Sequence, residues 1–121
     1  MSQASKKKTL EYLTSDNESP YSDWLKALGD VRAKTKVTRA THNMSLGNFG
    51  DHKGVGDSVM ERRLTYGPGY RIYYAMDGNQ IVLLLTGGDK SSQQKDIEKA
   101  KAYWADYKAR KLKGDDHGAN T

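Results

Sequence analysis

Residues 61–90 read ERRLTYGPGYRIYYAMDGNQIVLLLTGGDK. With its upstream flank this stretch holds three β-prone runs, at 58–66, 70–76 and 80–86. Gly67-Pro68-Gly69 separates the first two; proline fixes φ and glycine admits positive φ. Asp77-Gly78-Asn79 separates the second pair, and Asp-Gly between apolar runs is a strong hairpin signal. The pattern predicts a three-stranded antiparallel meander. Arg62, Arg63 and Arg71 stand within its strands, and Lys90 follows the last one. Ionised groups rarely sit in strands unless they are paired or placed for a purpose. That conflict makes these residues the first candidates for function.

Working outward, 121 residues suit one domain. Apolar residues make up 36% of the chain, below the roughly 45–50% of globular chains, a range that also counts glycine. The deficit lies partly in the ends. Segments 1–8 and 111–121 are polar and without period, so they read as disordered tails around a domain at 9–110. Lys and Arg number 20 against 15 Asp and Glu, giving a net charge of +5. That balance favours a polyanionic partner, nucleic acid above all. With no cysteine there is no disulfide, thiolate nucleophile or Cys-based metal site. No apolar run is long enough for a membrane span, and the Lys-rich start lacks an apolar core, so no signal peptide is read. Cytoplasmic location follows by default, with no membrane partner and no cofactor.

Taken in order, segment 9–14 is a β-prone first or edge strand. Ser19 and Pro20 open a helix as N-cap and first helical residue. Tyr21, Trp24, Leu25 and Leu28 give it one apolar stripe, and Gly29 is expected to end it as a left-handed cap. Asp30 caps a second helix to about Leu46, with Ala33, Val37, Ala40 and Met44 inward and Arg32, Lys36 and Arg39 outward. So short a linker predicts an antiparallel helical hairpin. Segment 46–58, with four glycines, reads as a loop. Ser91 and Gln94 stand at capping-box spacing before a last helix. Asp96 lies in its first turn, and its stripe is Ile97, Ala100, Trp104 and Tyr107. The expected fold class is α+β: a small, mainly antiparallel sheet in β-α-α-β-β-β-α order, with an N-terminal helical hairpin and a C-terminal helix, the helices on one face.

Chemistry-bearing motifs are few. Gly87-Gly88-Asp89-Lys90-Ser91 fails the phosphate-loop pattern, because Asp89 stands where glycine must precede the lysine. Lys90 still sits where a strand meets a helix N-terminus, a natural anion site. His42, His52 and His117 lack metal-ligand spacing. Arg63 has two readings. It pairs with Glu61, since residues i and i+2 share a strand face, or it joins Arg71 and Lys90 in a phosphate-binding cluster. Arg32, Lys36 and Arg39 form either a solvated face or a track for a nucleic-acid backbone, with Arg62 beside them. Among Tyr66, Tyr70, Tyr73 and Tyr74, mostly packing residues, Tyr73 is the candidate for stacking on a base.

Four motifs together carry a resemblance: G-N-x-G-D at 47–51, E-x-R at 61–63, G-P-G-Y-R-I-Y at 67–73 and L-L-x-G-G-D-K-x-x-Q-x-x-D-I at 84–97. The set resembles the RelE/ParE superfamily of toxins, and within it the HigB-like addiction module killer group. The resemblance spans about 21–107. It implies the toxin of a bacterial type II toxin–antitoxin pair that cleaves mRNA on the ribosome. The implied reaction is metal-independent attack of a ribose 2′-OH on the adjacent phosphate, leaving a 2′,3′-cyclic phosphate. Matched by position, Arg71 is the phosphate clamp, Lys90 approaches the leaving group and Arg63 is a strand arginine of the group. No general base is matched. The implied partners are the ribosome, mRNA and a helix-turn-helix, HigA-like antitoxin. The superfamily also contains ParE-like non-enzymatic inhibitors of DNA gyrase, which is the alternative reading. A degenerate protein that only binds its antitoxin is a third.

Overall fold

The structure, a computed structural model, describes residues 6–114. The elements run β1 (Lys8–Glu11), α1 (Pro20–Ala27), α2 (Val31–Ser45), β2 (His52–Gly56), β3 (Val59–Leu64), β4 (Tyr70–Asp77), β5 (Ile81–Gly88) and, after a 3-10 turn at Lys90–Ser92, α3 (Gln93–Leu112). The expected tails 1–8 and 111–121 fall largely outside the described residues, but Lys8 already belongs to β1 and α3 continues to Leu112. The fold is α+β with one five-stranded sheet in the order β1-β5-β4-β3-β2. All neighbours are antiparallel except β1, which runs parallel to β5. The meander forms as expected. Leu64 pairs with Tyr70 across the Gly-Pro-Gly turn, where Gly67 and Gly69 have φ of 56° and 82°.

Four expectations are corrected. Segment 46–58 contains β2, a fifth strand. It is exposed along most of its length, so it shows no apolar alternation, and backbone pairing to β3 holds it. The β2–β3 turn is Asp57-Ser58, with φ of 55° and 66°. Both residues adopt the left-handed conformation of a tight hairpin turn without the usual glycine signal.

The helices cover both faces of the sheet. Tyr21 of α1 and Val37, Ala40 and Met44 of α2 pack with Ile72, Tyr74, Val82 and Leu84. Ala100, Trp104 and Tyr107 of α3 pack with Val59, Tyr73, Ala75, Leu83 and Leu85 on the opposite side. Alternate residues of β4 point to opposite faces, and Ile72 through Ala75 are all buried, as befits a strand covered twice.

The helical hairpin is not formed as expected. Gly29 is not left-handed; Leu28 ends α1 in extended conformation, with ψ of 127°. Helix α1 packs chiefly on β5 and touches α2 little.

Ser91 is not the cap of α3 either. The Asp89 carboxylate accepts from the Ser91 backbone N–H at 2.8 Å, winding a 3-10 turn first. Asp30 does cap α2, accepting from the Arg32 and Ala33 amides. No described helix is long and apolar enough to cross a membrane.

Candidate functional site

The β3–β4 register sets Arg63 directly opposite Arg71. Cross-strand partners share a face, so the two arginines stand side by side on the α3 face at one end of the sheet. Gly88 pairs with Arg71 on the other flank. Lys90 follows it: a Cβ added to Gly69 would lie 3.2 Å from Arg71 Nη1 and 3.7 Å from Lys90 Cβ. The fold therefore gathers Arg63, Arg71 and Lys90 from three segments.

Both arginines carry a carboxylate partner. Arg63 Nη2 binds Asp51 Oδ1 at 2.9 Å, on a half-exposed surface. Its partner is thus Asp51 rather than Glu61. Arg71 takes Glu61 instead, with Nε 3.5 Å from Glu61 Oε2. The Arg71 side chain is 13% exposed and that of Glu61 is fully buried. Glu61 Oε2 also accepts from Tyr73 Oη at 3.0 Å and from Gln93 Nε2 at 2.8 Å. Arg71 Nη1 donates to the Gly69 carbonyl at 2.8 Å. Its Nη2 has no hydrogen-bond partner among the described residues. Lys90 is exposed and has no salt bridge among those residues.

Tyr73 does not stack on a base. It is fully buried in the α3-side core, and burial, followed by the hydrogen bond to Glu61, raises its phenol above the ordinary value. The aromatic pattern could not reveal this, because adjacent strand residues alternate faces and both faces here are covered.

A second cationic feature lies on the α2 side. Lys36, Arg39 and Asn43 of α2 line a groove of about 530 Å³ together with Arg62 and Tyr66, and the Arg63–Asp51 pair also borders it. Arg62 lies against Gly50; a Cβ there would be 2.6 Å from Arg62 Cζ, and Gly50 has φ of 58°. Arg62 Nη1 reaches the Arg63 carbonyl. The Lys36 ammonium stands 4.9 Å over the Tyr66 ring. Tyr66 in turn donates to Asp30 at 2.9 Å, which holds the Asp30 carboxyl below the usual range. Lys36, Arg39 and Arg62 make no salt bridge among the described residues. Arg32 is exposed near Asp30 and lines no part of the groove.

Sequence reasoning missed the roles of Asp51, Tyr66 and Gln93. Gln93 was legible only in retrospect, as the first residue of α3, because helix packing brings it beneath β3. Among the described residues, no three His, Asp or Glu side chains are grouped as a metal site requires.

No family model matches the chain. It is similar to an uncharacterized protein of Haemophilus influenzae, 44% identical over 81 residues, which span 67% of this chain and 82% of that one. The chain belongs to that protein's family. That relative's description names no activity, so the functional reading rests on the geometry of the site.

Proposed function

We propose that this protein is the toxin of a type II toxin–antitoxin pair, a ribosome-dependent mRNA endonuclease of RelE/ParE type acting in the bacterial cytoplasm. The observation that carries the reading is the convergence of Arg63, Arg71 and Lys90 at one end of the sheet, with Arg71 Nη2 unpartnered among the described residues. As a 2′-OH attacks the adjacent phosphorus, its proton passes to water, the 2′-O–P bond forms and the P–O5′ bond breaks; negative charge builds on the non-bridging oxygens, and preorganised cations stabilise that charge. Arg71 is the clamp, because arginine forks match phosphate and its guanidinium is already held. Arg63 adds charge from the neighbouring strand. Lys90, exposed and without a salt bridge among the described residues, offers a proton to the departing 5′ oxygen. The groove of Lys36, Arg39 and Arg62 carries the RNA backbone beyond the cleaved bond. The succession of one strand, two helices, a meander and a terminal helix supports the RelE/ParE arrangement. A helix-turn-helix antitoxin neutralises the toxin by covering this cationic surface.

Primer extension on a reporter mRNA in a purified translation system tests the proposal. New 5′ ends should appear only when ribosomes and protein are both present. Uncut mRNA with undisturbed translation rejects the reading, and a supercoiling assay with purified gyrase then tests the ParE-like alternative.

A further inference from the structure

We infer that Glu61 is a positioning residue for Arg71: together with Tyr73 and Gln93 it fixes the guanidinium so that Nη2 faces the bound phosphate. The inference rests on the proposed role of Arg71 as phosphate clamp.

Burial of Glu61 is not what packing alone would select. Its side chain is fully buried, and Oε1 has no hydrogen-bond partner among the described residues. A carboxylate taken out of water is costly, and apolar residues of similar volume often serve a core as well or better. What Glu61 provides is contact with three side chains, from β4 and α3, at one oxygen. Tyr73 is its cross-strand partner on β4, and Arg71 lies two residues before Tyr73 on the same face. Gln93 opens α3, three residues after Lys90. One carboxylate therefore ties the clamp to the start of the helix that follows Lys90.

The Gly69 carbonyl completes the fixture by engaging Nη1. A side chain at Gly69 would crowd that nitrogen. Nε lies in ion-pair contact with Glu61 at 3.5 Å, without a hydrogen bond to it, and Nη1 donates to the Gly69 carbonyl, so the two contacts orient the guanidinium plane before any phosphate arrives. An untethered arginine would have to lose its rotamer freedom on binding, and a displacement of about 1 Å at a reacting phosphate slows cleavage by roughly 100-fold.

The test uses the full-length protein, ribosomes and a reporter mRNA, with Glu61→Gln as the first variant. The amide retains shape and removes charge. Cleavage at saturating protein should slow by about 10- to 100-fold, while the half-saturating concentration stays within about three-fold of wild type. In ¹H–¹⁵N spectra, the Arg71 Nε–H signal should be protected from exchange in the wild type and lose protection in Glu61→Gln. A folded Glu61→Gln that cleaves at the wild-type rate, or keeps Arg71 Nε–H protected, overturns the proposal. If Glu61→Gln fails to fold, Tyr73→Phe and Gln93→Leu replace it, since each removes one donor from the carboxylate; wild-type rates in both also overturn it. If the wild type cuts no mRNA, the proposed function fails, and the Nε–H measurement still decides whether Glu61 fixes Arg71.

Discussion

Arg71→Ala is the obvious variant for the proposed site, and the sequence alone suggests a loss of activity with little change in stability. The structure predicts otherwise. Truncation leaves Glu61 fully buried, with only Tyr73 and Gln93 among the described residues donating to it. Removing one partner of a buried ion pair typically costs about 3–5 kcal/mol, because the remaining charge is uncompensated. Three features place this pair at or below the lower end: a 3.5 Å separation, slight exposure of Arg71, and two neutral donors that remain. A loss of about 2–3 kcal/mol is expected, or roughly 10 °C in Tm for a domain of this size. Glu61→Gln in the same background removes the stranded charge and should restore at least about 1 kcal/mol, a coupling that a double-mutant cycle measures. Urea unfolding followed by circular dichroism on the four proteins is the assay. If Arg71→Ala lies within about 0.5 kcal/mol of wild type, or the double variant is no more stable than Arg71→Ala alone, the buried pair does not exist as described. Loss of mRNA cleavage must be judged against this background, and Arg71→Lys keeps a cation opposite Glu61 for that purpose.

Other outcomes follow from particular contacts. Gly87→Ala would put a Cβ 2.2 Å from Trp24 Cε3, so the indole must leave β5; a loss of about 2 kcal/mol is expected, with red-shifted tryptophan emission, and unchanged emission and stability would contradict the packing. Lys36→Ala and Arg39→Ala should each lower the salt dependence of RNA-oligonucleotide binding by about 0.7 in log–log slope and leave the cleavage rate at saturation intact; unaltered slopes would remove the groove from the RNA path. Burial, aided at Tyr12 by Asp106, pushes the Tyr12 and Tyr74 phenols up to about 12. Unfolded tyrosines ionise near pH 10, so the stability these groups contribute is complete below that pH and falls as pH rises from 10 towards 12; absorbance at 295 nm during an alkaline titration should show them ionising together with unfolding.

The sequence by itself determined the meander, because Gly-Pro-Gly and Asp-Gly dictate local backbone geometry whatever packs around them. It also determined the Asp30 cap and the stripes of α1, α2 and α3, since a helical period is written in consecutive residues. It named Arg63 and Arg71 as candidates, because a charge in a strand is locally conspicuous, and Lys90, because it stands where a strand gives way to a helix N-terminus. Strand β2 stayed hidden: an exposed edge strand built of glycine and polar residues owes its existence to the neighbouring strand, not to its own propensity. Only the tertiary structure decided which face each residue takes and which partner it meets. That is why Tyr73 proved to be core, Arg63 went to Asp51, and Glu61 went to Arg71. Such pairings depend on register and on a helix from the far end of the chain, and hydrogen bonds over separations like the 32 residues from Glu61 to Gln93 leave no periodic trace in the sequence.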